Sequence, residues 1–388
     1  MPEFSIGPEG YIKKIRGSIS GLPPQERQEI EGGRVPESAL VGRNQALEHW
    51  PQEVDKKPVL GERQKQIISL AENALGDFEW KYGVRAPAPS VYYLTEERWK
   101  GLMKYCPGNE ENSGFFDVDN NCIFIRLTKK HQNNLDLIDF LDTNLHERLH
   151  QQAFRAVQAW GEGLDLVREG LDTVNVRKGK RYFSDFDEGI ISYFSGRMTE
   201  NVVDTNKFLF KKELERDQLR RGSFSGDLEE AIFRMKKNDF AYRFSVDVIR
   251  KLIKSLSYLR GGRPQDVEEI EKIFINAEFK GNLLDLGKEV AKLYGKGGLR
   301  VLAHLNEKNS GLVQGFLRAK GLATQRRYAE KILPPEEFER YKKLMVESGE
   351  EVESEIDQKS WRHKYNTGEH GTKDYRQKNI DDRRFSRL

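Results

Sequence analysis

The chain has 388 residues, enough for two or three compact units or one domain with long tails, and at 37% hydrophobic and 33% charged its polar balance reads as a folded middle with solvated ends. Its 65 basic and 62 acidic residues nearly cancel to +3, which gives no electrostatic ground for a nucleic-acid or membrane partner. No apolar run approaches the ~20 residues of a membrane helix, no secretory leader pattern is visible, and Cys106 and Cys122 make neither a disulfide framework nor a thiolate metal set, so the default expectation is a cytoplasmic protein.

In chain order, residues 1–60 carry Pro23-Pro24, Gly32-Gly33 and scattered charges without a sustained period, and read as mostly irregular. Residues 62–82 place Ile67, Ile68, Leu70, Ala71, Ala74, Leu75 and Phe78 at helical spacing, with Gly83 as the stop and Pro87-Ala88-Pro89 blocking resumption. Ser90–Thr95 reads as a strand, and Gly114–Val118 and Cys122–Leu127 as a hairpin about Asp119-Asn120-Asn121. A long helix is expected from about Asn133 to Trp160. The Gly-containing, basic stretch 161–182 reads as a loop with one helical turn, and a helix follows from about Asp187 to Thr199, capped by Ser184 or Asp185. Beyond Lys211 the segments 227–259, 264–278, 282–294, 297–306, 309–319 and 335–348 all have helical period. The charged, aliphatic-poor tail 349–388 reads as disordered.

The first long helix contains His146-Glu147-Arg148-Leu149-His150. Residues four apart lie on one helix face, so both imidazoles can reach one cation, while Glu147, about 100° around from His146, can hold a water without ligating the metal. Two histidines leave a zinc site one protein ligand short. Ala156 occupies the position where a metzincin would supply its third histidine, which removes that class. The carboxylates Glu162, Glu169 and Glu188 remain. Glu188 is favoured because it stands near the start of a predicted helix and is followed by Gly189, which permits close helix–helix approach.

The order of strand, hairpin, H-E-x-x-H helix, loop and Glu188-Gly189-Ile190-Ile191-Ser192-Tyr193 resembles the gluzincin metallopeptidases, closest to the small soluble ones with an N-E-G-x-x-x-Y glutamate helix. The resemblance implies an α+β fold. Residues 61–205 would form a zincin-like upper subdomain, a small mixed sheet over the two metal-bearing helices, and 206–348 a helical lower subdomain. It implies one Zn2+ per chain on His146, His150 and Glu188, with Glu147 as general base on the zinc-bound water. Tyr193 would line the site, and Cys122–Leu127 would be the edge strand to which an extended peptide or protein substrate adds. A second donor for the oxyanion is needed, and Tyr242 is preferred over Arg243 and His304. Arg148, Gln152, Asp187 and Ser192 depart from the family pattern. Against peptide hydrolysis stands a zinc-binding protein of the same fold with weak or absent turnover, acting in protein binding or regulation. A third reading is a peptidase held latent by its own ends. The oligomeric state is left open.

Overall fold

A computed structural model describes residues 12–16, 60–103, 111–117, 121–133, 136–160, 163–175, 180–215, 240–319 and 321–355, and it is a mixed α+β structure with two small sheets. The first sheet is strand β2 (Ser90–Thr95), β3 (Gly114–Asp117) and β4 (Cys122–Leu127) in the order β2-β4-β3. Helix α1 (Glu62–Tyr82) precedes it, and α2 (Glu96–Met103) follows β2 and returns the chain so that β2 and β4 run parallel. The β3–β4 hairpin pairs Gly114 with Ile125 and Asp117 with Cys122, and Asn121 takes the left-handed turn conformation (φ 51°) that asparagine tolerates.

This sheet is buried on both faces. Trp99, Leu102, Phe115 and Phe124 pack on one side, whereas Tyr93, Ile123 and Ile125 face the main core. That core is built on α4 (Leu137–Gln152), reached through the short helix α3 (Lys129–Gln132). His131 in α3 is buried, with its imidazole bonded to Asp139 (3.0 Å) and to the Arg126 carbonyl (3.2 Å).

The helix expected over 133–160 ends at Gln152. Ala153 turns extended (ψ 147°), and Phe154–Trp160 becomes strand β5. Ala156, Val157 and Trp160 continue the helical period, while Phe154 and Ala156 alternate up to the register shift at Ala156/Val157, and pairing with strand β6 (Gly163–Glu169) decides for the strand. The stretch read as a loop thus holds β6, β7 (Asp172–Asn175) and β8 (Lys180–Tyr182), a meander that turns tightly at Gly170 (φ 55°). Strand β1 (Ile12–Arg16), inside the segment read as irregular, completes a five-stranded sheet of order β1-β5-β6-β7-β8 by pairing antiparallel with β5. The rest of residues 1–59 lies outside the described residues.

Helix α5 (Ser184–Thr205) starts behind Phe183, which itself takes the left-handed N-cap position (φ 68°) in place of Ser184 or Asp185. It packs on α4 and is crossed by α6 (Phe240–Arg260). Gly189 does allow a close approach, but to α6: a Cβ there would stand 2.7 Å from that of Ser245. Helices α7 (Pro264–Lys280), α8 (Leu283–Tyr294), α9 (Gly298–Leu302), α10 (Ser310–Arg318), α11 (Leu322–Ile332) and α12 (Pro335–Glu355) complete the described chain. Of these α11 was not expected, and α12 runs into the segment read as a disordered tail, of which 356–388 lie outside the described residues. Among the described residues no helix is long and apolar enough to cross a membrane.

Candidate metal centre

His146 and His150 stand one turn apart on α4, and Glu188 enters from the first turns of α5. The three donor atoms converge. His150 Nε2 lies 3.1 Å from His146 Nε2 and 3.3 Å from Glu188 Oε2, and His146 Nε2 lies 3.4 Å from the same carboxylate oxygen. A tetrahedral zinc with ligand bonds of about 2.0–2.1 Å has ligand–ligand edges of roughly 3.3 Å, so the spacing of these donors fits such an ion. Among the described residues it is the one group of three or more metal-ligating side chains found together.

The electrostatics fit a cation as well. Burial works against charge on either imidazole, yet the Glu188 carboxylate beside them wins: His146 is raised and His150 is pushed up to about 10. Burial likewise opposes the Glu188 charge, and the two histidines overcome it and hold that carboxyl well below the usual range. Glu188 thus favours positive charge on the two rings, as it would favour a cation bound among the three donors. Ser192 Oγ sits 3.5 Å from His146 Nδ1, one helical turn after Glu188, where it can orient the ring from outside the ligand set.

Glu147 is buried and projects toward β3. The backbone of Gly114 lies so close that a Cβ added there would stand 2.9 Å from Glu147 Cγ and 3.0 Å from Thr143 Cγ2. Strand β3, not Cys122–Leu127, is thus the sheet edge beside the carboxylate: β4 is central, hydrogen-bonded on both sides, and has no edge to offer. Gly114 carries a signal that could have been used, since a glycine opening an otherwise aromatic strand marks a close backbone approach.

The other candidates fall elsewhere. Glu169, the alternative third ligand, is held 2.5 Å from Arg155 Nη2, and Glu162 lies outside the described residues. Tyr193 points away from His146, His150 and Glu188. Its hydroxyl donates to Glu271 on α7 at 2.6 Å and accepts from Arg197 at 3.2 Å, so it belongs to the seam between α5 and α7. Its position five residues after Glu188 puts it about 140° around the helix from the ligand, which explains the difference. Tyr242 lies in the first turn of α6, where side chains are outside the described residues. Arg243 is exposed, and His304 packs edge-on against Tyr182 with its basicity lowered by burial.

The departures from the family pattern have local explanations. Arg148 is turned to α1, where its Nη2 meets Glu72 Oε1 at 3.1 Å, and Gln152 donates to Glu79 Oε1 at 2.7 Å. These two residues are polar because α1 presents acids to that side of α4. Asp187 accepts from the Leu171 amide (2.5 Å) and the Asp172 amide (3.1 Å), which ties the β6–β7 turn to the glutamate helix. Burial pushes Asp187 up to about 7 and raises its neighbour Glu278 as well. Comparison of the chain with known families, characterised proteins and solved structures finds no match.

Proposed function

We propose that this chain is a zinc-dependent peptidase of gluzincin type, built on a zincin-like arrangement of sheet, H-E-x-x-H helix and glutamate helix. The observation that carries the reading is the convergence of His146, His150 and Glu188 at mutual distances of 3.1–3.4 Å, with Glu147 on the same helix beside an edge strand. A zinc ion held by these three residues would supply Lewis acidity, acidifying a water and polarising a carbonyl oxygen. Glu147 takes the proton of the attacking water and passes it to the leaving amine, and its burial against β3 keeps that proton from bulk solvent. Ser192 holds the His146 ring from its far nitrogen. Strand β3, whose outer edge pairs with no other strand among the described residues, would take an extended peptide there and align the scissile bond with Glu147.

The test is metal content and turnover measured together. Wild type is expected to hold one zinc per chain and to cleave peptides in a chelator-sensitive way. Glu147→Gln should keep the zinc and lose turnover, and Glu188→Ala should lose the zinc. Stoichiometric zinc with no cleavage across a peptide library would leave a zinc-binding protein without hydrolytic activity, and absence of zinc in wild type would overturn the reading altogether.

A further inference from the structure

Both ends of α4 are held by buried charges of the sign that the helix dipole favours. At the N-terminus the carboxylate of Glu213 accepts the amide of Leu137 and, at 3.0 Å, that of Ile138. At the C-terminus stands Arg155, whose side chain is 0% exposed. Its Nη2 donates to the His150 carbonyl at 2.7 Å and to Glu169 Oε1 at 2.5 Å, and its Nη1 donates to the carbonyls of Gln151 (3.0 Å) and Ala153 (3.1 Å). The guanidinium also lies over the ring of Phe116, 4.7 Å from its centroid.

Helix capping alone does not call for this arrangement. The Ala153 amide already reaches the His150 carbonyl at 3.1 Å, and a half-exposed lysine or arginine would complement the dipole without full desolvation. What the buried guanidinium adds is span. One rigid fork touches the main chain of a metal ligand, the strand β6 that leads toward the glutamate helix, and β3 through Phe116. Phe116 shares its strand face with Gly114, the residue against which Glu147 rests.

Resting on the peptidase reading above, we infer that Arg155 is a positioning residue that fixes the His150 turn of the metal helix against the β3 edge, with Glu169 as the counter-ion that orients it. Ligand set and substrate edge are thereby held as one unit. Arg155 touches neither metal nor substrate; it acts through the backbone of His150 and the ring of Phe116.

The test uses the full chain with Arg155→Lys, Arg155→Met and Glu169→Gln beside wild type. Zinc affinity is read by competition with a chromophoric chelator, and coordination geometry by the visible absorption of the cobalt(II)-loaded protein. Arg155→Met is expected to weaken zinc binding about ten- to a hundredfold and to shift the cobalt bands. Arg155→Lys should recover part of that loss, since lysine keeps the charge without the fork. Glu169→Gln should show a smaller shift in the same direction. A residue that only caps the helix would lower the thermal midpoint of the zinc-free and zinc-loaded forms alike, with zinc affinity and cobalt spectrum unchanged, and that result overturns the inference. If Arg155→Met does not fold, the other two variants decide the matter by the same readouts. Failure of wild type to bind either metal would instead remove the metal reading on which the inference rests.

Discussion

Gly114 and Glu147 face each other across the gap between the edge strand β3 and helix α4, close enough that the strand has no room for even a methyl group at that point. Because Phe124 O and Thr143 Cγ2 crowd the same spot at 3.0 Å, an added Cβ can be relieved only by moving the carboxylate or the strand. Gly114→Ala is therefore expected to displace Glu147 while leaving His146, His150 and Glu188 in place. Zinc stoichiometry should be kept and kcat should fall by roughly a hundredfold, the scale of a misplaced catalytic group. Equal activity in the alanine variant, measured with zinc content alongside, would show that Glu147 does not depend on β3.

Zinc binding should expel protons. His150 is raised to about 10 and His146 is raised too, so at neutral pH the His150 ring carries a proton in the absence of metal, whereas a metal needs neutral imidazoles. A raised pKa means that the proton is present below that value and has to be displaced by the metal. Zinc affinity should therefore weaken as pH falls from 8 to 6, by about tenfold per pH unit for each proton released. Calorimetric titration at pH 7 in two buffers of different ionisation enthalpy should report about one proton or more per zinc. A titration that releases none would show that Glu188 does not hold a proton on these rings.

Arg148 is expected to act on stability and not on metal binding. Its guanidinium leaves the metal face of α4 for Glu72, next to the Gln152–Glu79 bond. Arg148→Met should lower stability by roughly 1–3 kcal/mol, the scale of a lost bond to a charged partner, while zinc affinity stays as in wild type. Chemical denaturation and a chelator competition on the same sample separate the two effects. A loss of zinc affinity would mean that this seam tunes the site.

Tyr193→Phe distinguishes the seam between α5 and α7 from the metal site. The hydroxyl is bonded to Glu271 and Arg197, and burial keeps the phenol protonated. Its removal should destabilise the chain by roughly 1–3 kcal/mol and leave the pH profile of turnover unchanged. A change in that profile would tie Tyr193 to the proposed His146–His150–Glu188 site.

The convergence of His146, His150 and Glu188 was legible because half of it is a property of one helix: His146 and His150 meet whatever packs around them, and Glu188 needed only a second helix beginning nearby. The strand–hairpin order before that helix was legible for a similar reason, through local alternation and the Asn121 turn. Position within the sheet was not. Which of β3 and β4 forms the edge depends on β2 pairing with β4 from the other side, a contact that no short pattern encodes. The same holds for the segment after Gln152, where Phe154–Trp160 satisfies two periods and is decided by its partner β6. Misreading that strand as helix also hid Arg155, since a charged residue in a buried strand asks for partners while one on a helix can simply face water. Tyr193 was assigned from a motif, and its own angular offset from Glu188 would have argued against the assignment.

Strand β1 joins its sheet from a point far upstream, with Ile12 opposite Gln158. Closure entropy grows only slowly with the length closed, so a pairing this distant in sequence weighs on the rate of folding more than on stability. The helices bearing His146, His150 and Glu188 lie closer in sequence and do not need it in order to meet. The meeting of these three side chains is therefore separable, in chain order, from the outer strand that pairs with β5.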